Sequence, residues 1–72
     1  MKRYLELAEA ARELLALAQR DNNPNLIAVA MQTIAEAELG EIESDKEACY
    51  LAQYISDEIK GLREWFAEEA QS

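Results

Sequence analysis

Between residues 2 and 20, leucine and alanine recur every three or four positions in a stretch built of Leu, Ala, Glu and Arg, with neither Gly nor Pro to interrupt it. These are the strongest helix formers, so the stretch predicts a first helix over 2–20. At about 100° per residue, Tyr4, Leu7, Ala11, Leu14, Leu15, Leu17 and Ala18 fall within half of the circumference, and Glu6, Glu9, Glu13 and Arg20 fill the other half. The pattern therefore separates a core face from a wet face, with Leu5 on the wet side.

The segment Asp21-Asn22-Asn23-Pro24-Asn25 breaks this periodicity. Asparagine is a favoured helix N-cap and proline fits the first helical position, which predicts a second helix starting at Pro24 behind an Asn23 cap. It runs to about residue 39, where Gly40 supplies the left-handed residue that closes many helices. Leu26, Ile27, Val29, Ala30, Met31, Ile34 and Ala37 cover roughly 200° of its surface, leaving Asn25, Gln32 and Glu36 as a narrow polar strip. An apolar arc that wide predicts the most buried of the helices, placed between its two neighbours or at a subunit boundary.

Ser44-Asp45-Lys46-Glu47 has the S-x-x-E form of a capping box and opens a third helix that extends to about Ala70. Ala48, Ala52, Ile55, Ile59, Leu62 and Phe66 recur at alternating spacings of four and three, the signature of a core-facing seam. A second row lies on another face of the same helix: Tyr50, Tyr54, Gly61 and Trp65 share a stripe joined to the seam through Leu51. Together these elements predict one all-α domain over 1–72, a three-helix up-down-up arrangement with a long third helix, completed into a helical bundle by dimerisation.

Length is what brings in the second copy. A chain of 72 residues buries only about 60% of the surface that its unfolded form exposes, and such cores seldom supply more than about 3–5 kcal/mol without a staple. Cys49 is the only cysteine and there is no histidine, so neither an intrachain disulfide nor a transition-metal site can serve. Self-association remains, and a homodimer is expected. Fifteen acidic residues against seven basic ones, a net charge of −8, oppose direct contact with a nucleic-acid backbone. Charges at Glu6, Glu9, Arg12 and Glu13 interrupt any signal-peptide core behind Met1-Lys2-Arg3, and no uncharged run is long enough to span a bilayer. A cytoplasmic protein is expected.

Candidate chemistry is sparse. Nucleophilic catalysis through a histidine base is closed to a chain without histidine, so no enzyme, cofactor or metal is expected. Cys49 projects away from the core seam and reads first as a small filler, second as a redox or intermolecular-disulfide site. Glu36, Glu38, Glu41, Glu43, Asp45 and Glu47 crowd around the second loop. Acid-base work needs one carboxyl in an apolar pocket and another kept ionised, which an exposed loop does not offer, and the alternation lacks the ligand spacing and central glycine of an EF-hand. They read as a solvated loop or as an acidic patch for a basic surface.

The aromatic stripe is more informative, since three of the five aromatic residues, Tyr50, Tyr54 and Trp65, lie on it with Gly61. Tyr and Trp bury large apolar areas with few rotors and keep a polar handle, and glycine admits a second backbone closely, so the stripe reads equally as core or as interface. The functional expectation is a small acidic interaction module, an inhibitor, adaptor or chaperone-like accessory protein, that binds a partner protein through Tyr50, Tyr54, Gly61 and Trp65. The alternative is a nucleic-acid mimic or antitoxin-like antagonist whose carboxylates occupy a basic site on its target.

Overall fold

A computed structural model describes the backbone of residues 2–71 and the side chains of residues 5–71. Over these residues the protein is all-helical, with α1 at Lys2–Arg20, α2 at Pro24–Leu39 and α3 at Asp45–Gln71. The helix boundaries follow from the local signals. Asn22 adopts a left-handed conformation at φ 55°, which asparagine tolerates, and the Asp21, Asn22 and Asn23 amides donate to the Leu17, Gln19 and Ala18 carbonyls that end α1. Asn23 Oδ1 then accepts from the Leu26 amide at 3.2 Å, with Pro24 leading the next helix. Gly40 closes α2 at φ 71°, and both its amide and that of Glu41 reach the Glu36 carbonyl. At the start of α3 the Ser44 hydroxyl accepts from the Glu47 amide at 3.2 Å, the first half of the capping box.

The helices run up, down and up, but the order of packing differs from the one the apolar arcs predict. α1, not α2, is the central helix: it packs along both α2 and α3, which scarcely meet each other. The turn at 21–23 sends α2 back along α1, and an Arg12–Glu38 ion pair joins the two. α3 runs parallel to α1, with Ala48 in a shared cleft with Leu7, Arg63 paired with Glu13, and Phe66 beneath the Arg20 guanidinium at 4.3 Å. At about 1.5 Å per residue, the 27 residues of α3 account for most of the 43 Å long axis. Its last residues, 67–71, are all exposed and project beyond the end of α1.

The core explains the order. α1 buries Leu7, Ala8, Ala11, Leu14 and Ala18, α2 buries Leu26, Ala30, Thr33 and Ala37, and α3 buries Ala48, Ile55, Ile59 and Leu62. Alanines dominate where α1 meets α2, and small side chains let two helices lie close along their length. α2 thus spends its narrow Leu26-Ala30-Thr33-Ala37 row on α1 and leaves the rest of its wide apolar arc half-covered or open: Ile27, Val29 and Ile34 are half-buried and Met31 is 57% exposed. Of the two placements that the wide arc predicts for α2, the one between its two neighbours is therefore corrected. Within the α3 seam, Phe66 is half-buried and Ala52 is exposed, because Ala52 lies on the rim of an open cleft between α3 and α1 while the Ile55-Ile59-Leu62 ridge is buried. Tyr4, placed on the core face of the first helix by the pattern, lies outside the described side chains.

Two buried residues complete the picture. Thr33 satisfies its hydroxyl by donating to the Val29 carbonyl at 2.8 Å, so it occupies an interhelical position at no polar cost. Ile42 sits in the loop between α2 and α3 and is 5% exposed, tucked into the core while Glu41 and Glu43 on either side face water. That single anchor ties the acidic loop to the helices.

Candidate functional site

The stripe on α3 divides into three parts. Tyr54 is half-buried and packs against the core cluster, together with Leu51. Tyr50, one turn before it, is 69% exposed, and Trp65 is 51% exposed. Gly61 lies between them on the surface, and a Cβ placed on it would meet nothing within 4 Å. The stripe is thus anchored in the core at Leu51 and Tyr54 and open to water at Tyr50 and Trp65, which lie on either side of Tyr54 in projection. Two large aromatic side chains are therefore left in water on this face, about 22 Å apart along the helix at about 1.5 Å per residue.

The placement follows from how α3 meets α1. The opposite edge of α3, which carries Cys49, Ala52, Ser56, Lys60 and Arg63, faces the Glu6-Ala10-Glu13 edge of α1 across two shallow open clefts of about 240 Å³ and 370 Å³. The aromatic edge is turned away from that contact. α2 does not cover it either, since α2 and α3 hardly touch.

Charge is distributed with the same asymmetry. In a helical projection at about 100° per residue, the arc of α3 from Leu51 to Asp57 that holds Tyr50, Tyr54, Gly61 and Trp65 also holds Glu47, Asp57 and Glu58 and no lysine or arginine. Lys46 lies about 20° outside this arc, beside Asp57 and one turn before Tyr50, whereas Lys60 and Arg63 project elsewhere and Arg63 is engaged with Glu13. α2 has no basic residue at all.

The loop carboxylates are placed around the Ile42 anchor. Glu38, Glu41, Glu43, Asp45 and Glu47 are exposed and Glu36 is half-buried. They do not act as one group: Glu38 pairs with Arg12 and Glu36 accepts from the Gln32 amide at 3.0 Å. Among the described residues no three His, Cys, Asp or Glu side chains converge to hold a metal ion. Cys49 is exposed beside the smaller cleft. The described helices include none long and apolar enough to cross a membrane.

Sequence reasoning missed Ala8 as a buried position of α1, and outside α1 it missed Ile42 and Thr33. Both had a signal, the Glu-Ile-Glu alternation around Ile42 and the four-three-four spacing of Leu26, Ala30, Thr33 and Ala37. Compared with known proteins, the chain matches no family model, no curated protein and no solved structure.

Proposed function

We propose that this protein is a small acidic interaction module that binds a partner protein through the open aromatic edge of α3. The observation that carries the reading is the exposure of Tyr50 and Trp65 on the same flank as the anchored Tyr54. Tyr54 and Leu51 hold the flank rigid against the core, so the two exposed rings are presented on a fixed helical surface rather than on a loop. Rigid aromatic anchors lose little entropy when they are covered, and such residues dominate binding energy in protein interfaces. An inhibitor, an adaptor and a chaperone-like factor would all use such a surface in this way.

The test separates binding from folding. The partner is captured from the native host with the wild-type protein and its affinity measured for two variants. Trp65→Ala is expected to cost at least about 2 kcal/mol of binding with little loss of stability, because half of the ring already faces water. Ile59→Ala is expected to cost about 2–5 kcal/mol of folding stability and to reduce binding only through unfolding. If Trp65→Ala lowers the melting temperature as much as Ile59→Ala and leaves the affinity of the folded fraction unchanged, the stripe is core and the reading fails. Salt discriminates the alternative, an antagonist that occupies a basic site with its loop carboxylates: its binding would weaken steeply with ionic strength and be indifferent to Trp65.

We also propose that the protein is a homodimer. Among the described residues, six of the thirteen buried apolar ones are alanines and only Leu14 and Ile55 are large side chains that are fully enclosed, a thin core for an independent domain. Sedimentation equilibrium at micromolar concentration checks this. A single species at the 8.1 kDa monomer mass, with an unfolding midpoint independent of concentration, would overturn it.

A further inference from the structure

We infer that the occupant of the aromatic edge is a cationic amphipathic helix of another protein, whose apolar face covers Tyr50, Tyr54 and Trp65 and whose basic residues meet Glu47, Asp57 and Glu58. This inference rests on the proposed interaction role and adds the chemistry of the partner.

Three observations carry it. First, the flank is linear: its rings run from Tyr50 to Trp65 over about 22 Å, and with Glu47 it extends over about 27 Å at about 1.5 Å per residue, which matches a helix of some 18 residues laid alongside. The described part of this protein has no strand edge to extend, so an extended peptide would find no backbone ladder to join, whereas a helix needs only an apolar stripe. Second, the carboxylates are interleaved with the rings rather than set apart. Glu47 and Glu58 project within about 40° of Tyr54 and Trp65, and Asp57 within about 20° of Tyr50, at about 100° per residue. A helix seated on the rings therefore brings its flanking side chains within reach of these acids.

Third, the surface excludes its own kind. A second copy presenting the same flank would place Glu47, Asp57 and Glu58 against their counterparts with only Lys46, at the margin of the arc, to offset them, and like charges brought together across an interface cost free energy. The neighbouring α2 contributes no cation. A partner bearing lysine or arginine on both sides of an apolar stripe turns the same groups into attractive contacts and gains on-rate from the net charge of −8.

Trp65 is the single tryptophan and sits inside the proposed contact, so its emission reports occupancy directly. Three dye-labelled synthetic peptides of about 18 residues, the length matched to the flank at about 1.5 Å per residue, carry one leucine heptad pattern with lysine, serine or glutamate at the polar positions. Each is titrated against the full chain, following peptide anisotropy and Trp65 emission.

The leucine–lysine peptide is expected to bind and move Trp65 emission to the blue, the serine peptide to bind at least about tenfold more weakly, and the glutamate peptide not at all. Asp57→Lys with Glu58→Lys is expected to weaken the lysine peptide by about tenfold or more, whereas Glu6→Lys with Glu9→Lys, the same change in net charge on the wet face of α1, is expected to change it less than about threefold. Circular dichroism confirms that both double variants are folded.

If the serine peptide binds as tightly as the lysine peptide and shifts Trp65, the edge docks a helix but not a cationic one; the inference is overturned and the proposed function stands. Equal losses from the two double variants, or binding without any change at Trp65, mean diffuse attraction to an acidic surface and overturn the inference. A shift in Trp65 that depends on protein concentration without peptide makes a second copy the occupant and overturns it as well. If no peptide moves Trp65, the inference is overturned, and the proposed function is decided by the affinity measured for Trp65→Ala.

Discussion

Truncating Leu14 to alanine tests the central position of α1. Leu14 is fully buried in the helix that contacts both neighbours, and no other described side chain of α1 is as large and as enclosed. The change removes three carbons, worth about 2.4 kcal/mol at about 0.8 kcal/mol per buried methylene. A cavity term follows, because α2 and α3 are each held by α1 and cannot both collapse onto the void. Three carbons of roughly 25 Å³ each, at about 24 cal/mol per Å³, add up to about 1.8 kcal/mol.

The loss of about 4 kcal/mol is comparable to the whole stability of so small a core. Urea unfolding followed by helical circular dichroism reads it: with a slope near 1 kcal/mol per molar, the midpoint should fall by several molar, leaving the variant largely unfolded in buffer. Met31→Ala, on the open part of α2, should stay within about 0.5 kcal/mol of wild type. If Leu14→Ala costs less than about 1 kcal/mol, or no more than Met31→Ala, then α1 does not organise the fold as described.

The two glycines should respond with opposite signs. Gly40→Ala forces a left-handed alanine at φ 71° and should destabilise by about 1 kcal/mol, whereas Gly61→Ala, in the interior of α3 with open space at its Cβ, should stabilise by about 0.5–1 kcal/mol; thermal melts of both variants decide it, and a stabilised Gly40→Ala would mean that α2 and α3 are more nearly continuous. Ser44→Ala removes the acceptor of the Glu47 amide and should cost about 1 kcal/mol in the same melts, with Ser44→Asp restoring most of it; equal stability of all three forms would show that the cap contributes nothing.

The elements themselves were legible because their signals are local. The Asn23-Pro24 start, the Gly40 stop and the Ser44-x-x-Glu47 start each act on backbone groups within a few residues, and a chemical preference that satisfies an orphan amide or permits a positive φ does not depend on the rest of the fold. The core row of α1 and the Ile55-Ile59-Leu62 ridge of α3 were legible for the related reason that a single helix can face the core in only one way when its apolar positions form one stripe.

α2 was misread for want of such a stripe. With apolar residues over more than half its surface, its sequence fits burial on several faces equally, and the choice fell to the tertiary fit: the small side chains of Ala30, Thr33 and Ala37 approach α1 closely, and Ile27, Ile34 and Met31 are left toward the surface. The aromatic stripe was ambiguous on the same grounds, because one flank of a helix looks alike in sequence whether a neighbour covers it or not. Only the packing of α3 against α1, with α2 held away on another side, decided that Tyr54 belongs to the core while Tyr50 and Trp65 face water. Local chemistry determines where a helix begins and ends; which of its faces is covered depends on partners distant in sequence, and those are chosen by the competition of all the apolar surfaces at once.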